Sequence, residues 1–169
     1  MENKAELRIK AKNIRKNLDI QKISKIACEK ISTLKEFQQA KNVMLFYPLK
    51  FEIDTLSLIS EDKNFYLPRM NGENLEVCPY KKGDALNLSK FKTQEPLTEA
   101  ISPDDLDLII VPALMVDKNN YRLGYGKGFY DKLIAKTNAR TVLPISKELF
   151  IENLPTEPHD KKIDNVILI

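Results

Sequence analysis

Two short apolar runs, each ended by a proline, limit the folds open to this chain. Val43-Met44-Leu45-Phe46-Tyr47 runs into Pro48, and Leu108-Ile109-Ile110-Val111 runs from Asp107 into Pro112. A strand with one face in water alternates apolar and polar residues, whereas a run that is apolar at every position is the pattern of a strand covered on both faces. Helical patterns surround these runs. Leu7, Ala11, Ile14 and Leu18 recur at helical spacing, and Asp19 stands where it can cap a second helix that turns Ile23, Ile26, Ala27, Ile31 and Leu34 inward, with a short helical turn following to Ala40. Buried strands interleaved with helices give an α/β fold: one three-layer domain, a mostly parallel central sheet with helices on both faces.

The remaining elements read in the same way. A helix that Asp54 or Thr55 can cap is expected after the first strand, and Phe65 to Pro68 is the second strand. Asn71-Gly72 is a hairpin signal, so Leu75 to Tyr80 should return antiparallel. Lys81 to Ser102 reads as a long irregular loop, Thr141 to Ile145 as a strand, Glu148 to Asn153 as a short helical piece, and Asn165 to Ile169 as the final strand.

A chain of 169 residues with these patterns should form a single domain over residues 1–169. Its net charge of +3 is small and its acidic residues are spread among the basic ones, so no global field argues for nucleic acid or a membrane surface. Met1 to Lys12 is charged throughout, unlike a secretory signal, and no apolar run approaches the roughly 20 residues that span a bilayer. A cytoplasmic monomer is expected. Cys28 and Cys78 lack metal or redox spacing and read as small core hydrophobes. One histidine, His159, cannot build a zinc site, and no serine or cysteine nucleophile pattern accompanies it.

Chemistry concentrates in Arg122-Leu123-Gly124-Tyr125-Gly126-Lys127-Gly128-Phe129-Tyr130-Asp131. Three of the chain's five glycines fall here at alternate positions, between two cations and just before Phe129, Leu133 and Ile134 at helical spacing. Successive backbone N–H groups in such a loop can converge on an anion, with Arg122 and Lys127 adding charge. It is not a P-loop, since Gly128 rather than Ser or Thr follows the lysine, nor a dinucleotide fingerprint, whose second and third glycines lie further apart. A plain glycine-rich turn between strand and helix is the competing reading. Asp131 would then merely favour the helix dipole, but beside a polyphosphate it can hold Mg²⁺. On the first helix Lys4, Arg8, Lys12 and Arg15 form a basic stripe. A solvated cationic face is the favoured reading of such a stripe, with Lys4 and Arg8 as phosphate ligands if the loop takes a nucleotide. Tyr47 at the end of the first strand and Phe51 and Glu52 in the loop after it stand where ligands sit in open α/β sheets, although Glu52 taken alone reads as a surface carboxylate.

In this order the residues resemble the 5-formyltetrahydrofolate cyclo-ligase family, also called 5,10-methenyltetrahydrofolate synthetase. The resemblance is carried by Asp107 to Pro112, Val116-Asp117 and Arg122 to Asp131, with Lys4 and Leu7-Arg8, Glu52-Ile53-Asp54, Pro68-Arg69, Gln94-Glu95-Pro96 and His159-Asp160, and it spans nearly the whole chain. It implies ATP- and Mg²⁺-dependent cyclisation of 5-formyltetrahydrofolate to 5,10-methenyltetrahydrofolate with release of ADP and phosphate. By the same resemblance Lys4, Arg8, Arg122, Leu123, Gly124, Tyr125, Gly126, Lys127, Gly128, Phe129 and Tyr130 would bind ATP. Asp131 and Asp160 would hold Mg²⁺, Tyr47, Glu52 and Tyr125 would contact the folate, and Arg122, Lys127 and Asp131 would act in catalysis. The partners implied are small molecules only: ATP and a reduced folate, with or without a polyglutamate tail, which Lys90-Phe91-Lys92 would attract if it is more than a solvated basic loop. Two stretches depart from the family pattern, Val116 and Ile145-Ser146-Lys147-Glu148-Leu149, and both bear on packing beside the folate rather than on the phosphates. Two rivals share the phosphate chemistry: a nucleotide-sensing or RNA-binding module, which the placement of most aromatics within apolar runs disfavours, and a phosphotransferase.

Overall fold

The computed structural model describes all of residues 1–169. Three helices, α1 (Lys4–Arg15), α2 (Ile20–Ser32) and α3 (Lys35–Gln39), lead into β1 (Asn42–Met44), β2 (Asn64–Asn71) and β3 (Asn74–Pro79). A small ribbon, β4 (Leu86–Leu88) and β5 (Gln94–Pro96), precedes β6 (Leu108–Ile110), β7 (Met115–Asp117), β8 (Arg122–Leu123) and α4 (Phe129–Ile134). The chain closes with β9 (Arg140–Ile145), β10 (Phe150–Ile151) and β11 (Asn165–Leu168).

Six strands form the central sheet in the order β11-β9-β6-β1-β2-β3. All pairings are parallel except that of β2 with β3, which is the expected hairpin. Neighbouring residues of each central strand point to opposite faces. Val43, Leu45, Phe65, Leu67, Leu108, Ile110 and Val142 pack on Ile31 of α2 and Phe37 of α3. Met44, Tyr66, Ile109, Val111, Leu143 and Ile145 pack on Leu7 and Ala11 of α1 and Leu133 of α4. The three layers and the double burial are therefore one fact. On the α1 face lies a second sheet, in the order β10-β7-β8.

Local chemistry explains the boundaries. Asp19 caps α2, its side chain accepting from the Lys22 amide at 3.2 Å. Asn3 caps α1 in a capping box with Glu6, both hydrogen bonds at 2.9 Å. Gly72, first of the two residues between β2 and β3, takes a left-handed φ of +62°. Asp117 is buried because its carboxylate accepts from the Asn119, Tyr121 and Leu154 amides, which ties the turn after β7 to the segment after β10.

Four expectations need correction. The helix after the first strand is only a 3-10 turn at Leu56–Leu58, since Asp54 accepts from the Leu56 amide but the chain turns back into β2 within a few residues. Lys81 to Ser102 is not structureless: β4 and β5 pair, and Arg69 pins the end of the ribbon by donating to the Pro96 and Thr98 carbonyls. The segment from Glu148 is a 3-10 turn at Lys147–Leu149 followed by β10, because pairing with β7 satisfies its backbone better than a lone helical turn. Cys78 is fully buried as expected, but Cys28 is only partly buried, with its thiol against Ser57 and the Asp54 carbonyl.

Candidate active site

β1 lies between β2 and β6. The chain runs from β1 to one side and later crosses to the other, so a crevice opens beyond the carboxyl ends of these strands. A cavity of about 630 Å³ occupies it, lined by Tyr47 and Glu52 after β1, Pro112 after β6, and Pro68 and Met70 of β2. Lys4 and Arg8 of α1 form one rim and the whole stretch Arg122 to Asp131 another. A cleft of that size is typical of small-ligand sites.

The glycines of this stretch answer different needs. Gly126 takes φ +111°, a conformation that side chains resist. Gly124 makes room, since a Cβ there would lie 2.7 Å from a terminal nitrogen of Arg122. Gly128, at φ +69°, is the N-cap of α4, and no side chain takes the first-turn amides. Arg8 crosses to the loop and donates from Nε to the Gly124 carbonyl at 2.8 Å, its guanidinium passing beside Gly126. The Arg122 side chain is buried, donates to the Pro112 carbonyl at 3.0 Å, lies 4.0 Å from Asp131 and stacks over the Tyr130 ring. Burial pushes its guanidinium downward, against Asp131, Tyr130, Asp160 and Tyr125. Lys127 is exposed, with Nζ 5.7 Å from the centre of the Phe91 ring.

On the β1 side, Glu52 is no surface carboxylate. It accepts from the Leu49 amide at 2.7 Å, and burial raises its carboxyl above the ordinary value, opposed by that amide, Arg15, Tyr125 and Arg122. Tyr125 reaches across from the glycine-rich loop, its hydroxyl accepting from Arg15 Nη1 at 2.6 Å. Desolvation and the Glu52 charge push that hydroxyl up to about 12, so it stays protonated at neutral pH. Burial likewise raises Tyr130.

The acidic side of the cavity comes from the loop before β11. Asp160 accepts from Lys4 Nζ at 2.9 Å and from the Glu157 amide at 2.8 Å. Burial pushes its carboxyl up, but Lys4 and that amide outweigh burial and hold it below the ordinary range. Asp131 accepts from the Lys161 amide at 3.1 Å, which brings α4 against this loop. His159 lies 3.2 Å from Glu157 and 3.6 Å from Asp160. Asp131 and Asp160 are hard oxygen donors at the edge of a cation-rich cavity, a donor set that fits Mg²⁺ when a polyphosphate supplies further oxygens.

The family model described as the 5-formyltetrahydrofolate cyclo-ligase family matches residues 1–169. The chain belongs to the 5-formyltetrahydrofolate cyclo-ligase family. It is therefore an enzyme of the ligase class. Among its relatives, a probable 5-formyltetrahydrofolate cyclo-ligase of Schizosaccharomyces pombe is 32% identical over 89% of this chain and 84% of that protein. The Mus musculus cyclo-ligase is 26% identical over 85% of this chain and 81% of that protein. An NMR structure of Aquifex aeolicus 5,10-methenyltetrahydrofolate synthetase superposes with a TM-score of 0.87 at 30% identity, covering 98% of this chain and 89% of the other.

In this cyclo-ligase chain most residues singled out from sequence converge on one cavity. Lys4, Arg8, Tyr47, Glu52, Arg122 to Asp131 and Asp160 all line it. Phe51 does not: it turns away with φ +69° and offers its carbonyl to Arg15. The basic stripe is not the solvated face that its composition favours, since Arg15 is buried and Lys4 and Arg8 are half-buried toward the cavity, leaving Lys12 outside. Sequence reasoning gave Arg15 no role of its own. A signal was present, because Arg15 continues the spacing of Leu7 and Ala11 and so occupies a core register. Of Lys90-Phe91-Lys92, which the sequence marks by its charge, it is the Phe91 ring that lines the cavity, and neither lysine does.

Proposed function

We propose that this chain cyclises 5-formyltetrahydrofolate to 5,10-methenyltetrahydrofolate, using ATP and Mg²⁺ and releasing ADP and phosphate. Membership of the cyclo-ligase family supports the reaction, and one observation supports its assignment to this cavity: a glycine-rich, cation-lined loop faces Glu52 across a single cleft and meets it through Tyr125.

The chemistry needs positioning and charge neutralisation more than a protein nucleophile. A formamide oxygen leaves poorly. Its attack on the γ-phosphorus of ATP, with the β–γ bridging bond breaking to release ADP, converts it to a phosphate ester on an iminium carbon. N10 then attacks that carbon, the carbon–oxygen bond breaks, phosphate departs and the N10 proton is lost, leaving the N5–CH–N10 amidinium. Arg8, Arg122 and Lys127 would neutralise the triphosphate, with the loop amides as further donors. Asp131 and Asp160 would hold Mg²⁺, which when bound supplies further neutralisation of phosphate charge. Tyr47, Glu52 and Tyr125 would hold the folate, Glu52 accepting from a pterin or adjacent N–H.

The test is to incubate the purified protein with 5-formyltetrahydrofolate, ATP and Mg²⁺ and follow the methenyl chromophore in the near ultraviolet. ATP-dependent appearance of the chromophore, lost in Asp131→Asn, is the expected result. A phosphorylated folate that accumulates without cyclising would favour a phosphotransferase instead.

A further inference from the structure

Arg15 is the buried cation of α1, only 5% exposed and in line with Leu7 and Ala11. Buried guanidinium groups are normally paired with a carboxylate. The hydrogen bonds of Arg15 go instead to neutral acceptors: the Tyr125 hydroxyl at 2.6 Å, the Phe51 carbonyl at 3.1 Å and the Lys50 carbonyl at 3.5 Å. Those acceptors belong to two loops on different sides of the cavity, the turn after β1 and the glycine-rich loop before α4.

The turn after β1 needs such a tie. Phe51 is a non-glycine residue at φ +69°, a strained conformation that persists only where the surroundings hold it. Glu52 follows directly, closing the turn through its own amide on Leu49 O at 3.0 Å and its carboxylate on the Leu49 amide. Arg15 grips the turn from outside by two carbonyls and places its third hydrogen bond on the residue that faces Glu52.

We propose that Arg15 is a positioning residue for the cyclisation: it locks the Tyr125 hydroxyl to the Lys50-Phe51 turn and so fixes Tyr125 and Glu52 against the folate. This rests on the proposed cyclo-ligase reaction. The guanidinium fork suits the task because one planar group spans three acceptors, which a lysine ammonium on its flexible stem does not reproduce. Arg15 also acts on Glu52 through charge, favouring the ionised carboxylate against burial. The other groups facing Glu52 are the Leu49 amide on its own turn, Tyr125 and Arg122 on the glycine-rich segment, and Tyr130 on α4.

The test compares wild type, Arg15→Met, Arg15→Lys, Tyr125→Phe and the Arg15→Met/Tyr125→Phe double variant. Chromophore formation is measured from acid to neutral pH, and MgATP affinity by calorimetry. Arg15→Met should lower kcat/KM for the folate by about 100-fold while MgATP affinity stays within about twofold. Its acid limb should move to higher pH, since Glu52 loses the cation that favours its charged form. Tyr125→Phe should cost about tenfold, and adding Arg15→Met to it should cost clearly less than Arg15→Met costs wild type. Arg15→Lys should restore thermal stability more than kcat/KM, and if Arg15→Met does not fold, Arg15→Lys and Tyr125→Phe carry the same comparison. A variant that keeps wild-type kcat/KM and acid limb, costs that simply add, or activity lost only in proportion to unfolded protein would each overturn the proposal. A wild-type protein that binds MgATP but forms no chromophore would overturn the functional reading and this inference with it, whereas wild-type turnover indifferent to Arg15 overturns the inference alone.

Discussion

α1 and α2 cover opposite faces of the same sheet with stripes of similar spacing, yet only α1 reaches the cavity. α2 turns Ala27 and Ile31 into the core and leaves Lys22 and Lys25 in water, while the exposed Lys30 reaches only the Leu168 carbonyl, at 3.4 Å. α1 turns Leu7 and Ala11 into the core but aims Lys4, Arg8 and Arg15 at the loops around the site. From Lys4 to Arg15 the axis rises roughly 16 Å, enough to follow the cavity rim. Both helices are rich in lysine or arginine, so composition does not tell them apart. What separates them is what their cations face: in α2 solvent and, for Lys30, one exposed carbonyl of the last strand, and in α1 the carbonyls, a carboxylate and a hydroxyl of the segments around the cavity.

This contrast can be broken by mutation. The largest effect is expected for Arg8→Met, which should reduce kcat/KM for ATP by roughly 1,000-fold with little change in melting temperature. Lys25→Met on α2 should change neither.

Glu52→Gln should lower kcat/KM for the folate by about 100-fold and at the same time raise the melting temperature at neutral pH. Glu52 has a raised carboxyl pKa in the folded state, so its contribution to stability is fully present below the unfolded value and is lost as pH rises through the folded one. At neutral pH its ionised form is a cost. The stabilisation by Gln should therefore shrink as the pH is lowered, which melting curves from pH 4 to pH 8 would detect. A Gln variant less stable than wild type at neutral pH would count against a desolvated carboxylate.

On the α2 face, Ile31→Ala should destabilise by about 2–5 kcal/mol in denaturant titrations, through lost burial and a cavity, and leave kcat/KM of the folded fraction unchanged. Activity lost ahead of stability would erase the distinction between the helices.

The smallest effect concerns Lys4 and Asp160. Asp160 has a lowered pKa, so its contribution is present above its ordinary value of 3.8 and is lost as pH falls through the folded one. Wild type should exceed Lys4→Met in stability by under about 1 kcal/mol at neutral pH, and the difference should vanish in strong acid. A difference that persists there would mean that Lys4 stabilises by packing alone.

The parts of the fold legible in sequence were those set by local rules. The unbroken apolar run before Pro112, the Asp19 cap and the hairpin at Gly72 each depend on a few neighbouring residues and stand where expected. The β4–β5 ribbon was not legible, because what organises it is remote: Glu95 accepts from the Met70 amide at 2.7 Å and Arg69 holds the Pro96 and Thr98 carbonyls. The site divides likewise. Arg122 to Asp131 announces itself by its glycines and charges. The burial of Glu52 and the partners that Arg15 meets depend on segments more than 30 residues away, which periodicity does not encode even where it places Arg15 in the core register.

MgATP titrated calorimetrically into wild type, Arg8→Met and Lys25→Met tests most directly whether α1 supplies part of the nucleotide site. The expected result is binding by wild type and Lys25→Met with equal affinity, and at least about tenfold weaker binding by Arg8→Met. Equal affinity in all three would contradict the assignment, leaving α1 a packing helix like α2.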